Sequence, residues 1–212
     1  MYTAKDYKLV ALVGFFVGWL VLIPYANLAG HAPSLLFGAA SVVGLPIVAL
    51  ACLAVLSLLG RRIPVLVQFG KFAAVGTLNT LLNIAILNAC IGLTGIANGW
   101  GYSGFVALAF LVATTNSYFW NKFWTFQSGQ AVTASEYLRF ALFTLAGALL
   151  NVGAASLVVN VFGAPAHISA KVWANVGALI GVAVSFLWNF LSYKKIVFKG
   201  SVQNSETKTK EI

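Results

Sequence analysis

One feature limits this chain more than any other: between Tyr7 and Ser205 it contains a single acidic residue, Glu136. Apolar runs of about twenty residues fill most of that stretch. A soluble domain carries roughly 25% charged residues, and this chain carries 8% against 60% hydrophobic. No water-facing surface of this size can be built from it, so lipid is its solvent. The pattern predicts an all-α integral membrane protein.

Six runs are long enough to cross about 30 Å of hydrocarbon, which takes roughly 20 helical residues. They are Leu9–Leu28, Leu35–Leu59, Phe72–Leu93, Tyr102–Phe123, Phe140–Phe162 and Ala170–Tyr193. Pro24 and Pro46 fall within or near the ends of their runs, where membrane helices tolerate proline. The first run follows Lys5 and Lys8 and so has the start of a signal peptide. Asn27-Leu28-Ala29 is a poor cleavage site, and retention of the helix is expected.

The net charge of +9 is distributed between the runs. This is the pattern of membrane loops rather than of a nucleic-acid surface. Lys5 and Lys8 precede the first run. Arg61, Arg62 and Lys71 lie between the second and third, and Lys122 and Arg139 between the fourth and fifth. Lys194, Lys195, Lys199, Lys208 and Lys210 follow the sixth. Only Lys171, with His31 and His167, belongs to the other side, so twelve of the 13 Lys and Arg share one face. The positive-inside rule makes that face cytoplasmic and puts both termini there, in a plasma membrane. Trp100, Tyr102 and Trp173 are expected at the outer interface, Trp120 and Trp124 at the inner one. The polar stretch 200–212 reads as a disordered cytoplasmic tail.

The last four runs repeat one hairpin. QFGKFAAVGTLNTLLNI (Gln68–Ile84) aligns with EYLRFALFTLAGALLNV (Glu136–Val152), and SYFWNKFWTF (Ser117–Phe126) with NFLSYKKIVF (Asn189–Phe198). Lys71-Phe72 falls on Arg139-Phe140, Asn83 on Asn151, Lys122 on Lys194 and Phe126 on Phe198. Each copy begins and ends on the basic side, so the repeats are parallel. Inverted repeats, used by many secondary transporters, are excluded. The domains are then 1–64, an added hairpin, and 65–199, with repeats over 68–126 and 136–198.

Polar residues recur at helical spacing. Phe72, Gly76, Asn79 and Asn83 share one face of the third run; Phe140, Thr144, Gly147 and Asn151 share that of the fifth. These stripes are expected to face each other or a common interior. On the sixth run Lys171, Asn175, Ser185 and Asn189 form a track of roughly 27 Å at 1.5 Å per residue. It is a candidate path for a polar group. Gly177 and Gly181 form a GxxxG pair suited to close helix contact, and to a homodimer. The competing role for each Asn and Ser is hydrogen-bonded attachment of one helix to the next. For the basic residues it is topology and contact with anionic lipid.

No metal-ligand, phosphate-loop or nucleophile–base pattern is present. Cys52 and Cys90 read as packing residues. The six runs as placed contain no Asp or Glu. Enzymatic chemistry, a cofactor and coupling to protons or ATP are therefore not expected.

KFAAVGTLNTLLNI, followed by NSYFWNKFWTF and SFLWNFLSYKKIVF, resembles the GtrA-like family over about residues 65–199. Asn121-Lys122-Phe123-Trp124-Thr125-Phe126 fits that family's Asn-Arg-x-Trp-x-Phe end, with Lys for Arg. The second end departs from it at Tyr193 and Ile196. The resemblance implies movement of a polyprenyl-phosphate-linked sugar from the inner to the outer leaflet for cell-surface polysaccharide glycosylation. On that reading Lys71 and Arg139 would collect the phosphate at the inner rim and Lys171 would receive it outside, with Lys122 a further substrate-binding candidate. Asn83, Asn151, Asn175 and Asn189 would replace water around the sugar, and Asn79 and Ser185 are further substrate-binding candidates. The alternative is a non-transporting membrane anchor for a polyprenyl-phosphate glycosyltransferase. A channel is a third and weaker option.

Overall fold

The apolar runs become helices because a backbone in lipid must satisfy its own N–H and C=O groups. The structure, a computed structural model, describes residues 2–199, apart from the side chain of Lys171; the stretch 200–212, read as a tail, lies outside the described residues. The helices are α1 (Ala4–Leu20), α2 (Leu22–Ala29), α3 (Leu35–Gly60), α4 (Val65–Thr94), α5 (Gly99–Trp120), α6 (Ala134–Ser156) and α7 (Ala170–Ser192). Turns of π-helix continue α5 over Asn121–Thr125, α6 over Leu157–Phe162 and α7 over Tyr193–Val197. Among the described residues there is no strand.

The first run is one span interrupted at Val21. Pro24 has no N–H to give the Leu20 carbonyl, and the helix resets there as α2. Among the described residues, five segments are long and apolar enough to cross a bilayer: Ala4–Ala29, Leu35–Gly60, Val65–Thr94, Ala134–Phe162 and Val172–Val197. The sixth, α5, is helical over 22 residues, about 33 Å. Thr114, Thr115, Asn116 and Ser117 dilute its hydropathy. The surface is that of a membrane protein, with Leu35 91% and Leu93 88% exposed.

The described chain forms two compact units that divide between Thr125 and Phe126. In the first, the added hairpin packs on the first repeat: α1 lies against α3 and α4, and α4 pairs with α5. Close approach of α1 and α3 depends on two glycines one turn apart. A Cβ on Gly14 would lie 2.6 Å from Pro46 Cα, and one on Gly18 would lie 2.5 Å from the Ser41 carbonyl. Val10, Val13, Val17, Leu53, Val75 and Leu78 fill the space between the helices. Asn27 Nδ2 donates to Asn88 Oδ1 (2.9 Å) and ties α2 to α4.

In the second unit α6 packs along α7. A Cβ on Gly181 would lie 2.5 Å from the Asn151 carbonyl, and one on Gly177 3.1 Å from that of Ala155. The GxxxG pair is therefore used inside the hairpin. Its basic end is closed by an aromatic cluster. Phe126 stacks on its repeat equivalent Phe198 (5.4 Å between centroids), and Phe140 lies 4.2 Å from Tyr193. The Phe that follows the basic start and the Phe that ends each repeat are thus the residues that hold this hairpin shut.

Candidate functional site

The basic ends of the two hairpins carry one device twice. Each second helix ends in a π-turn, Asn121–Thr125 and Tyr193–Val197, displaced by 72 positions as the sequence alignment requires. In each, the lysine lies over the aromatic ring four residues earlier. Lys122 Nζ is 5.9 Å from the Tyr118 centroid, and Lys194 Nζ is 5.9 Å from that of Phe190. A cation over a ring face is held by the ring quadrupole. Lys122 is fully buried, so the reading of it as a loop charge is corrected: it belongs to the packed end of the helix.

The starts of the hairpins differ sharply. Lys71 was placed in a loop before the third span, but α4 begins at Val65, and Lys71 is inside the helix at 6% exposure. Its Nζ lies 2.6 Å from Asp6 Oδ1. Trp124 Nε1–H donates to the same oxygen (2.9 Å). The Thr3 amide and hydroxyl donate to Asp6 Oδ2 at 2.8 and 2.9 Å. The Asp6 amide returns a bond to Thr3 Oγ1, completing a capping box at the start of α1. Lys71 Nζ also sits 5.9 Å from the Trp124 centroid. A buried carboxylate with four donors is well satisfied, as a charge taken out of water must be. Tyr2 is packed beside it. Burial first, and the Asp6 charge second, push its phenol up to about 12. It stays neutral and donates to the Leu66 carbonyl (3.3 Å).

Two expectations change here. Asp6 lies inside the first helix, so the spans are not free of carboxylates once their true starts are known. Trp124 is a buried hydrogen-bond donor rather than an anchor at the interface. The added hairpin brings the acid that neutralises the first repeat. Arg139, the counterpart of Lys71, is exposed. It borders a polar cavity of about 240 Å³ lined also by Gln130, Thr133, Ser135 and Glu136.

The asparagine stripes are occupied by their own hairpins. Asn116 Nδ2 donates to Asn79 Oδ1 (2.8 Å), and Asn79 Nδ2 to the Val75 carbonyl (2.8 Å). Asn151 Nδ2 donates to Ser185 Oγ (3.3 Å). Thr144 Oγ1 and Tyr193 Oη make a hydrogen bond of 2.6 Å, at the position that Asn121 holds in the first repeat. Asn83 bonds to nothing among the described residues, because Ala113 stands where its equivalent, Asn151, meets Ser185. Asn189 lies against Gly147, and its buried Oδ1 has no hydrogen-bond partner among the described residues. The C-terminal part of the α7 track, Ser185 and Asn189, thus faces α6 inside the hairpin. Asn175 is exposed near the other end of α7. The side chain of Lys171 lies outside what is described.

A second cavity, of about 330 Å³, opens in the first unit between the start of α1 and the end of α5. Lys5, Leu9, Asn116, Phe119, Trp120, Phe123 and Trp124 line it. Lys5 and Asn116 were not singled out from the sequence. Asn116 could have been, because it opens the Asn-x-x-x-x-Asn-Lys run quoted above.

The chain matches the family described as GtrA/DPMS, transmembrane domain, over residues 71–198. It belongs to that family. The matched stretch begins at Lys71, the basic residue at the start of the first repeat, and ends at Phe198, the last residue of the second. Neither the comparison with curated proteins nor that with solved structures gave a match. Membership of the GtrA/DPMS family ties this membrane protein to processes that involve polyprenyl-phosphate sugars.

Proposed function

We propose that this chain moves a polyprenyl-phosphate-linked sugar from the inner to the outer leaflet of the plasma membrane, with both termini in the cytoplasm. It acts as a translocator, not as an enzyme, and the delivered sugar serves cell-surface polysaccharide glycosylation. The observation that carries the reading is the asymmetry of the two matched hairpin starts within a GtrA/DPMS domain. Lys71 is neutralised by Asp6, whereas Arg139 stays exposed beside a polar cavity.

The chemistry fits an amphipathic anion. Its tail remains in lipid, alongside the exposed apolar faces of the helices. Its phosphate needs charge-assisted donors at the rim, and a guanidinium supplies two in a fork. Of the two matched hairpin starts, Arg139 therefore keeps a charge that a phosphate can reach, and Lys71 does not. No coupling ion is needed. An interior-negative potential of 100 mV favours outward movement of one negative charge by about 2.3 kcal/mol.

Purified protein in vesicles loaded with fluorescent prenyl-phosphate sugar, with leaflet exposure read by membrane-impermeant quenching, tests the reading. Equilibration between leaflets faster than in protein-free vesicles supports it. Recruitment of a glycosyltransferase to vesicles without any transport would support the anchor instead.

A further inference from the structure

We infer that the aromatic cavity of the first unit seats the sugar of the lipid-linked substrate, with Lys5 taking the phosphate. This rests on the translocation reading and specifies where the headgroup is recognised.

The cavity combines three chemistries that one ligand class needs together. Its walls are aromatic. Trp120 and Trp124 meet edge to face at 5.4 Å, and Phe119 and Phe123 stack at 6.2 Å with their planes 10° apart. The axial C–H groups of a pyranose ring pack on such faces, because the faces are electron-rich and the C–H edges are weakly positive. Its polar groups are one cation and one amide. Lys5 is exposed and makes no ion pair among the described residues. Asn116 Nδ2 donates to Asn79 Oδ1 (2.8 Å), while its own carbonyl oxygen accepts nothing among the described residues and can take a bond from a sugar hydroxyl. At about 330 Å³ the volume is at the small end of ligand sites, near roughly 300 Å³. It suits one glycosyl phosphate rather than an oligosaccharide.

The cavity is also built in advance of binding. Trp124 is 5% exposed and is fixed by its bond to Asp6 (2.9 Å) and by Lys71 over its ring. The buried ion pair thereby sets the plane of the wall, which gives the added α1 helix a part in recognition. Phe119 and Phe123 are 44% and 57% exposed. They leave an apolar margin along which a prenyl tail can stay in the lipid while its headgroup enters.

The test is equilibrium binding to the full chain in nanodiscs, using short-chain prenyl phosphates carrying glucose, galactose or mannose, and the bare prenyl phosphate. The wild type is expected to bind at least one glycosylated form about tenfold more tightly than the bare one. Trp120→Leu should bring that preference close to unity, and Trp120→Phe should restore most of it. Lys5→Gln should weaken bare and glycosylated forms alike, by about tenfold. If Trp120→Leu and Lys5→Gln, with normal helix content, bind as the wild type does, the site is elsewhere and the translocation reading stands. If the wild type shows no preference for any glycosylated form, the inference fails. If it also shows no transport in vesicles, the reading beneath it falls as well.

Discussion

Replacing Asp6 with Asn removes the charge and leaves a single oxygen acceptor, which can serve either the Thr3 donors or Trp124 but not both. Lys71 then keeps its ammonium at 6% exposure with its counter-ion gone. Breaking a buried pair by removing one partner costs about 3–5 kcal/mol, because the remaining charge is uncompensated. The cluster lies at the first turn of α1 and not at mid-helix, so relaxation toward water is available and the lower figure, about 3 kcal/mol, is the one expected. Lys71→Met should cost less on its own, since Asp6 retains its Thr3 and Trp124 donors. The double variant should be more stable than Asp6→Asn, because the orphaned ammonium is gone. Denaturant unfolding in detergent, followed by tryptophan fluorescence, gives the double-mutant cycle. A coupling of about 2 kcal/mol or more is expected between the two positions. A coupling below about 0.5 kcal/mol, in the range of exposed pairs, would refute the claim that this bond holds the added hairpin to the first repeat.

Other perturbations test other parts of the account. Gly18→Leu puts a side chain into the Ser41 carbonyl and Val42 Cα, 2.5 and 2.7 Å from its Cβ. Backbone cannot swing aside, so unfolding midpoints should fall by the equivalent of about 1–3 kcal/mol. Asn151→Ala removes one bond between membrane helices, worth on average about 0.6 kcal/mol. A loss well above 2 kcal/mol in detergent unfolding would show that Asn151 does more than join α6 to α7. Arg139→Gln should leave helix content and stability unchanged, because the side chain is exposed, yet slow transport in vesicles several-fold. With Cys52 and Cys90 replaced by Ser, cysteine introduced at Arg62 should react with impermeant reagent only in inverted vesicles, and at His167 only in right-side-out cells.

The hairpin pairing and the duplication were legible because they are local patterns. Apolar runs, matched basic–Phe starts and basic-x-x-x-Phe ends need no knowledge of which helix packs on which. The structure puts Phe126, Phe140 and Phe198 in one cluster, as their repeated placement suggests. The π-turns were invisible, because a residue inserted into an α-helix changes hydrogen-bond register and not composition. Lys71 was misread for a different reason. A lone lysine before an apolar run signals a loop, unless a carboxylate elsewhere can neutralise it inside the helix. Asp6 was the available clue, being the only acid before Glu136 and set three residues after Thr3. Helical spacing put Asn79 and Asn151 on one face of their helices, and in the structure those two meet Asn116 and Ser185 of their own hairpins. Whether such a stripe meets one neighbour or another depends on tertiary packing that helical periodicity does not encode.

The most direct test of the central claim is leaflet-resolved transport by the pure chain under an imposed potential. Vesicles holding fluorescent prenyl-phosphate sugar and the wild-type protein, with no ATP and no ion gradient other than the one that sets the potential, are compared at zero and at 100 mV. The account predicts movement in both cases. At 100 mV the distribution should shift toward the positive side, by up to the roughly 50-fold that about 2.3 kcal/mol represents for one negative charge. Rates indistinguishable from protein-free vesicles at both potentials would contradict it.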